Sequence, residues 1–348
     1  MKKIMTILLV MVLIFSFVGC SSKTSDTTTN NIETENNNTE TKEDKKETKQ
    51  PGEKYTIGVS LPGPDNQWVA AVIDFAKKEA SIDTDKFDVT ITTASTPAQQ
   101  VADIEDLLTK KPDAMVVFPL ESAPVTPICD QLYSQGIPLV VLTRGINSES
   151  YDVFIHGDDK AVGIQAAHYI GQKLNGSGNV VEMLCAPSEI QVLRTEGFHE
   201  TLEAYYPDIE IIAQGQGNFA REPALKEMEN LLQAHDKIDA VYSQDDEQSL
   251  GILAAIQASG REGEMLVTGV GGNKSVLELM MDGDDSISAS FSYSPLQGGS
   301  AVKIAKMLVT GQGFTELYEP GIPREIILSA EPITLDNAKN YYNKDSKY

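Results

Sequence analysis

Short, continuously apolar, β-branched runs alternate with longer amphipathic stretches along this chain, and the series plays through twice. The first places strands at Thr56–Ser60, Asp88–Thr92, Ala114–Phe118, Pro138–Leu142 and Val153–Ile155, with helical patterns near 66–80, 97–110 and 121–135. The second places strands at Asn179–Leu184, Ile209–Ala213, Asp239–Ser243, Met265–Gly269 and Ile287–Phe291. Its helices fall near 159–174, 190–206, 220–235, 246–259 and 273–282, and a further one near 296–311. Runs such as Ala114-Met115-Val116-Val117-Phe118 lack polar alternation, as parallel strands covered on both faces do. A strand–helix beat of this kind implies the α/β class. Two series imply two doubly wound parallel-sheet lobes. Ligands of such sheets bind beyond the carboxyl ends of the strands, so two facing lobes make a cleft at their junction.

The chain opens with Lys2 and Lys3, runs apolar from Ile4 to Val18, and then reads Gly19-Cys20. That run of about 15 residues falls short of the roughly 20 a spanning helix needs. Residues 1–19 therefore read as a secretory signal peptide. The Cys at its end resembles the lipobox of bacterial lipoproteins, which implies lipidation at Cys20. Phe17 departs from the Leu that pattern prefers, and an ordinary secretory signal with a chance Cys is the alternative. From 21 to 54 the only large apolar residue is Ile32, amid Ser, Thr, Asn, Glu and Lys. Such a segment cannot offset its ordering entropy by burial, so 20–54 reads as the lipidated Cys and a disordered linker. The expected location is extracytoplasmic, lipid-anchored to the cell membrane.

The formal net charge is -23. Signal and linker cancel, so the body from Tyr55 onward carries the whole excess. That field repels phosphate backbones and anionic lipid, which argues against nucleic acid as a partner. The body is too large for one comfortable core and natural for two domains. Cys129 and Cys185, its only thiols, lie in or beside apolar stretches and read as buried free thiols rather than a disulfide.

Four stretches carry a closer resemblance. They are Ile57-Gly58-Val59-Ser60 followed by Asn66-Gln67-Trp68, then 136–145 (GIPLVVLTRG), Arg194-Thr195-Glu196-Gly197-Phe198, and 240–247 (AVYSQDDE) running into Leu250-Gly251. In order and spacing they are similar to type 1 periplasmic binding proteins of the sugar-binding branch, the ribose- and galactose-type receptors of ABC importers. The resemblance implies two lobes joined by a three-strand hinge, with crossings near 143–157, 291–295 and 322–328. The first lobe would combine 55–150 with 294–323, and the second 157–290 with 327–348. It also implies a small sugar ligand, an ABC permease as membrane partner and a monomer, with no cofactor.

A sugar asks for flat apolar surface against its C–H face and planar polar groups for its hydroxyls. The family's aromatic clamp falls on Trp68, the single Trp; its alternative is a core residue of the helix it opens. Asn66 matches a polar contact or serves as helix N-cap. Ser60 closes the first strand at the cleft side. Arg144 matches a forked donor to sugar hydroxyls or forms a hinge ion pair. Thr143 replaces the Asp that usually precedes that Arg. Phe219 matches a second aromatic contact, with a core Phe as alternative. Asp245 matches an amide or acid ligand, leaving Asp246 to cap the next helix. Gly271 stands where a ligand-binding Asp is common, Tyr293 where a hinge Gln is common, and Val192 where an Arg often reaches the cleft. Arg194 is expected to face elsewhere, with Glu189 or Gln191 as substitutes. These departures argue against ribose itself.

No catalytic set is legible. Gly269-Val270-Gly271-Gly272 lacks the third glycine of a dinucleotide fingerprint. The four His show no paired metal spacing, and Gly-x-Ser-x-Gly is absent. The reading is therefore a non-enzymatic solute receptor of an ABC importer taking a pentose, hexose or polyol. The alternative is a sensory module feeding a membrane signalling partner.

Overall fold

The computed structural model describes residues 49, 52–314 and 319–348. Cys20, the expected signal peptide and most of the expected linker lie outside the described residues.

Six parallel strands form the first sheet: β1 (Tyr55–Pro62), β2 (Phe87–Ala94), β3 (Ala114–Val117), β4 (Leu139–Leu142), β5 (Val153–Gly157) and, late in the chain, β11 (Glu325–Leu328). Their spatial order is β11-β5-β4-β3-β1-β2. Side chains alternate between the faces, which splits each apolar run between two cores. Val116, Val140 and Leu142 pack with Val72 of α1 (Gln67–Ala80) and Val302 of α9 (Gln297–Thr310). Met115, Val117 and Val141 pack with Leu107 of α2 (Pro97–Thr109) and Ile128 of α3 (Ser122–Ser134). This division explains why the strands read as unbroken apolar runs.

The second sheet is built from β6 (Ser177–Leu184), β7 (Asp208–Gln216), β8 (Ala240–Ser243), β9 (Leu266–Gly271), β10 (Ala289–Ser292) and the two-residue β12 (Pro332–Ile333). The order is β12-β10-β9-β8-β6-β7, and β12 alone runs antiparallel, against β10. One face carries α4 (Asp159–Lys173) and α5 (Glu189–Tyr205), the other α6 (Arg221–Ala234), α7 (Asp246–Ser259) and α8 (Lys274–Met281), with α10 (Ala338–Tyr341) beyond. Helices α4 and α5 approach through glycine. A Cβ on Gly163 would lie 2.0 Å from the Arg194 carbonyl oxygen, and one on Gly197 would lie 2.2 Å from that of Lys160. The contact fixes where α5 begins over the cleft, and so where Arg194 sits.

Two expected crossings shift. Residues 153–157 are not a connection, because Val140 pairs with Val153 and Leu142 with Ile155 in the first sheet. The chain changes lobes only at Gly157–Asp158. Residues 325–328 likewise pair with 154–157, so Ile327 and Leu328 belong to the first sheet, and the tail joins the second from Pro332. Neither β11, β12 nor α10 was legible, because each is short and its partners, β5, β10 and α8, lie far off in the chain.

Candidate functional site

A cavity of about 370 Å³ lies between the lobes. Its walls are carboxyl ends of strands: Pro62 at the end of β1, Phe118 after β3, Thr143 and Arg144 after β4, Ala186 after β6, Asp245 after β8 and Gly271 at the end of β9. Tyr293, in the crossing from β10 to α9, completes the back. The volume falls in the roughly 300–1,000 Å³ typical of small-molecule sites.

The first lobe contributes an aromatic corner. Trp68 is edge-on to Phe118, with centroids 6.3 Å apart, and tilted against Tyr293 at 5.4 Å. Its indole Nε1–H donates to the Tyr293 carbonyl oxygen at 2.8 Å. The ring is thus held from two sides while its remaining surface borders the cavity. Asn66 caps α1, its Oδ1 accepting from the Val69 N–H at 2.9 Å, and it also lines the cavity.

Strain marks the turns that aim the polar groups. Thr143 has φ 64°, a region β-branched residues rarely enter. Its N–H donates to Ile155 O at 2.8 Å, and its Oγ1 donates to Gln297 Oε1 at 2.8 Å. The bend turns Arg144 onto the following loop, where Nη1 donates to the carbonyl oxygens of Pro119 (3.1 Å) and Leu120. Arg144 therefore makes no ion pair among the described residues, and burial draws its pKa below the ordinary arginine value. Phe219 has φ 60° and is pinned by its N–H to Gln248 Oε1 at 2.8 Å. Gly271 has φ 130°, which glycine alone adopts readily.

On the second lobe, Arg194 corrects the sequence reading. It lies on the cavity wall and is only 3 % exposed, while Val192 is 57 % exposed. Ile190 and Arg194, four apart, share one helix face; position 192 turns away. Nε donates to Asp159 Oδ1 at 2.8 Å, Nη1 donates to Gln244 O at 2.6 Å, and the guanidinium carbon sits 4.8 Å from the Tyr293 ring centroid. The Tyr293 hydroxyl donates to the other Asp159 oxygen at 3.2 Å. Burial pushes Asp159 above the usual carboxylate range, while Arg194 and the Tyr293 hydroxyl pull it back. Both Asp159 oxygens thus have a donor. Glu189 and Gln191 do not replace Arg194; Gln191 Nε2 donates to Thr195 Oγ1 at 3.1 Å, away from the cavity.

Asp245, not Asp246, caps α7. Its Oδ1 accepts from the N–H groups of Glu247 (2.8 Å) and Gln248 (3.2 Å), because the helix starts at 246 and leaves 245 as the half-in residue. Burial, then the neighbouring Asp246, push its pKa up to about 7. Asp246 turns inward to accept from Asn273 N–H at 2.7 Å and Ser290 Oγ at 2.8 Å. Ser60 is also corrected. β1 runs on to Pro62, so Ser60 lies inside the sheet, fully buried, its Oγ without a partner. Phe118 was missed although it ends an apolar strand, a place that should have drawn notice. Tyr348, which also lines the cavity, gives no local signal at all. Cys129 and Cys185 are buried free thiols.

A family model described as the periplasmic binding protein domain matches residues 57–313. The ribose import binding protein of Bacillus subtilis is 28% identical over 262 residues, covering 75% of this chain and 83% of that protein. An ABC transporter solute binding protein of Bacillus halodurans, solved with bound myo-inositol, superposes with a TM-score of 0.75 at 26% identity, covering 86% of this chain and all of that one. The fructose binding periplasmic domain of a hybrid two component system superposes at 0.71 with 28% identity, covering 82% of this chain and 93% of that one. With two lobes, a cavity at their carboxyl ends and a model match across both, the chain belongs to the periplasmic-binding-protein family, in its type 1 architecture.

Proposed function

We propose that this protein is the extracytoplasmic solute receptor of an ABC importer and captures a simple sugar or polyol in the cavity between its lobes. One observation carries the reading. Trp68 and Phe118 on one side and Arg194 and Asp245 on the other line one cavity, with the Tyr293 ring at its back in contact with both Trp68 and Arg194. Flat rings suit the C–H face of a pyranose, furanose or cyclitol, and charged donors and acceptors suit vicinal hydroxyls. Ribose import and myo-inositol binding among the relatives support the same class. The chain does no chemistry on its ligand in this reading; binding favours the closed lobes by population shift, with bending at the three crossings. Lipidation at Cys20 would keep the loaded receptor beside its permease.

Calorimetric titration with pentoses, hexoses and polyols tests the assignment. Heat from at least one sugar is expected; silence from all of them with tight binding of an amino acid or nucleoside overturns it. Likeness to a two-component sensory domain favours a second reading, a sensory receptor. Deleting the gene distinguishes them: lost uptake of labelled sugar supports import, while retained uptake with a lost transcriptional response supports sensing.

A further inference from the structure

The tail after α10 returns to the cleft. Tyr348, the last residue of the sequence, is 3 % exposed and lines the cavity. Its hydroxyl oxygen lies over Gly271, only 1.9 Å from where a Cβ on that residue would stand. A side chain at 271 and the Tyr348 ring therefore exclude each other. The hydroxyl donates to Val270 O at 3.4 Å, beyond the usual O–H···O range, so its donor and acceptor capacity is little used. Burial, then Asp245 and Asp246, hold the phenol well above its ordinary pKa, so it is neutral.

The tail is fastened to both lobes within a few residues. Lys274 on α8 donates Nζ to Lys344 O at 2.7 Å. Lys347 Nζ pairs with Asp74 Oδ2 at 2.7 Å, and Asp74 belongs to α1 of the first lobe. Around these anchors the amides of Asp345, Ser346 and Tyr348 donate to Asn343 Oδ1 (3.0 Å), Asn343 O (3.0 Å) and Ser346 Oγ (3.2 Å).

We propose that Tyr348, carried on the 343–348 segment, is a wall of the ligand chamber, with its hydroxyl as a ligand-contacting group and the Lys347–Asp74 pair tying that segment to the opposite lobe. The polyhydroxylated class of ligand rests on the function proposed above; the wall itself does not. Tyr348 takes the space that the missing side chain at 271 leaves, so the tail sets the depth of the chamber and supplies a neutral donor and acceptor there.

The test titrates the full chain with ribose, xylitol, myo-inositol, fructose, adenosine and leucine. Tyr348→Ala is expected to weaken every binder about tenfold or more, and Tyr348→Phe, which keeps the buried ring, about threefold or more. Lys347→Ala, breaking an exposed pair, is expected to cost about threefold at most. Affinities of Tyr348→Ala within about twofold of the parent overturn the proposal. Hydrogen exchange on the ligand-free chain is the second measurement. The amides of 345, 346 and 348 are expected to be protected, and Asp74→Ala to speed their exchange by about threefold at most. A tail that exchanges like free chain overturns the proposal as well. Binding of adenosine or leucine alone sinks the sugar reading while the Tyr348 comparison still holds on that compound. If nothing binds, exchange alone decides.

Discussion

Arg194→Met removes a cation about which the second lobe's cleft face is organised. Methionine keeps much of the side-chain volume but none of the donors. Asp159, 5 % exposed, would keep only the Tyr293 hydroxyl, and Gln244 O would lose its 2.6 Å donor. Removing one partner of a buried pair costs about 3–5 kcal/mol, because the other charge is left uncompensated. For a chain this long that corresponds to a fall in Tm of about 6–15 °C. The sign of the pH dependence follows. Arg194 is the largest influence holding Asp159 down against burial, so its loss moves that carboxyl further above 3.8. A raised carboxyl stabilises most below its unfolded pKa, and the contribution fades as pH rises through the folded value. The deficit should therefore be smallest near pH 4 and grow toward neutrality. Urea unfolding followed by Trp68 fluorescence and tyrosine circular dichroism measures it, with coincident transitions checking two-state behaviour. Asp159→Asn in the same chain should recover about 1–3 kcal/mol. A single-variant loss under about 1 kcal/mol, or a double variant whose cost equals the sum of the singles, refutes the argument.

Trp68→Ala and Arg144→Ala are each expected to weaken sugar binding by about 1–3 kcal/mol; unchanged calorimetric affinity in both would mean the cavity is not the binding site. Asp245→Asn keeps the capping oxygen but not the carboxyl raised to about 7. The parent's contribution from this group is full below pH 3.8 and lost as pH rises through about 7, so the parent's Tm should fall relative to the variant's across that window. Parallel Tm profiles would contradict it. Gly157→Ala puts a Cβ 2.1 Å from the Tyr293 ring, and is expected to cost about 1–3 kcal/mol in the urea midpoint by overpacking the hinge.

The sequence by itself determined the architecture, because burying both faces of a parallel sheet forces runs such as 114–118 and 139–142 to be apolar throughout, and that pattern is local. Of the residues singled out near strand ends, Thr143, Arg144, Asp245 and Gly271 border the cavity, as does Trp68 in the first turn of α1; their contact with ligand is part of the proposal. What only the tertiary structure decided depends on register and on distant partners. Whether β1 stops at 60 or 62 decides whether Ser60 faces the cleft or the sheet interior. The phase of α5, fixed by its glycine contact with α4, decides that Arg194 and not residue 192 reaches the cavity. Asp245, the residue before α7, both caps that helix and borders the cavity, while Asp246 turns inward to Asn273 and Ser290, a division that distant partners decide. Tyr348 lies 77 positions from Gly271 in the chain, and no local pattern connects them. Only folding brings a ring to the space that a glycine leaves open.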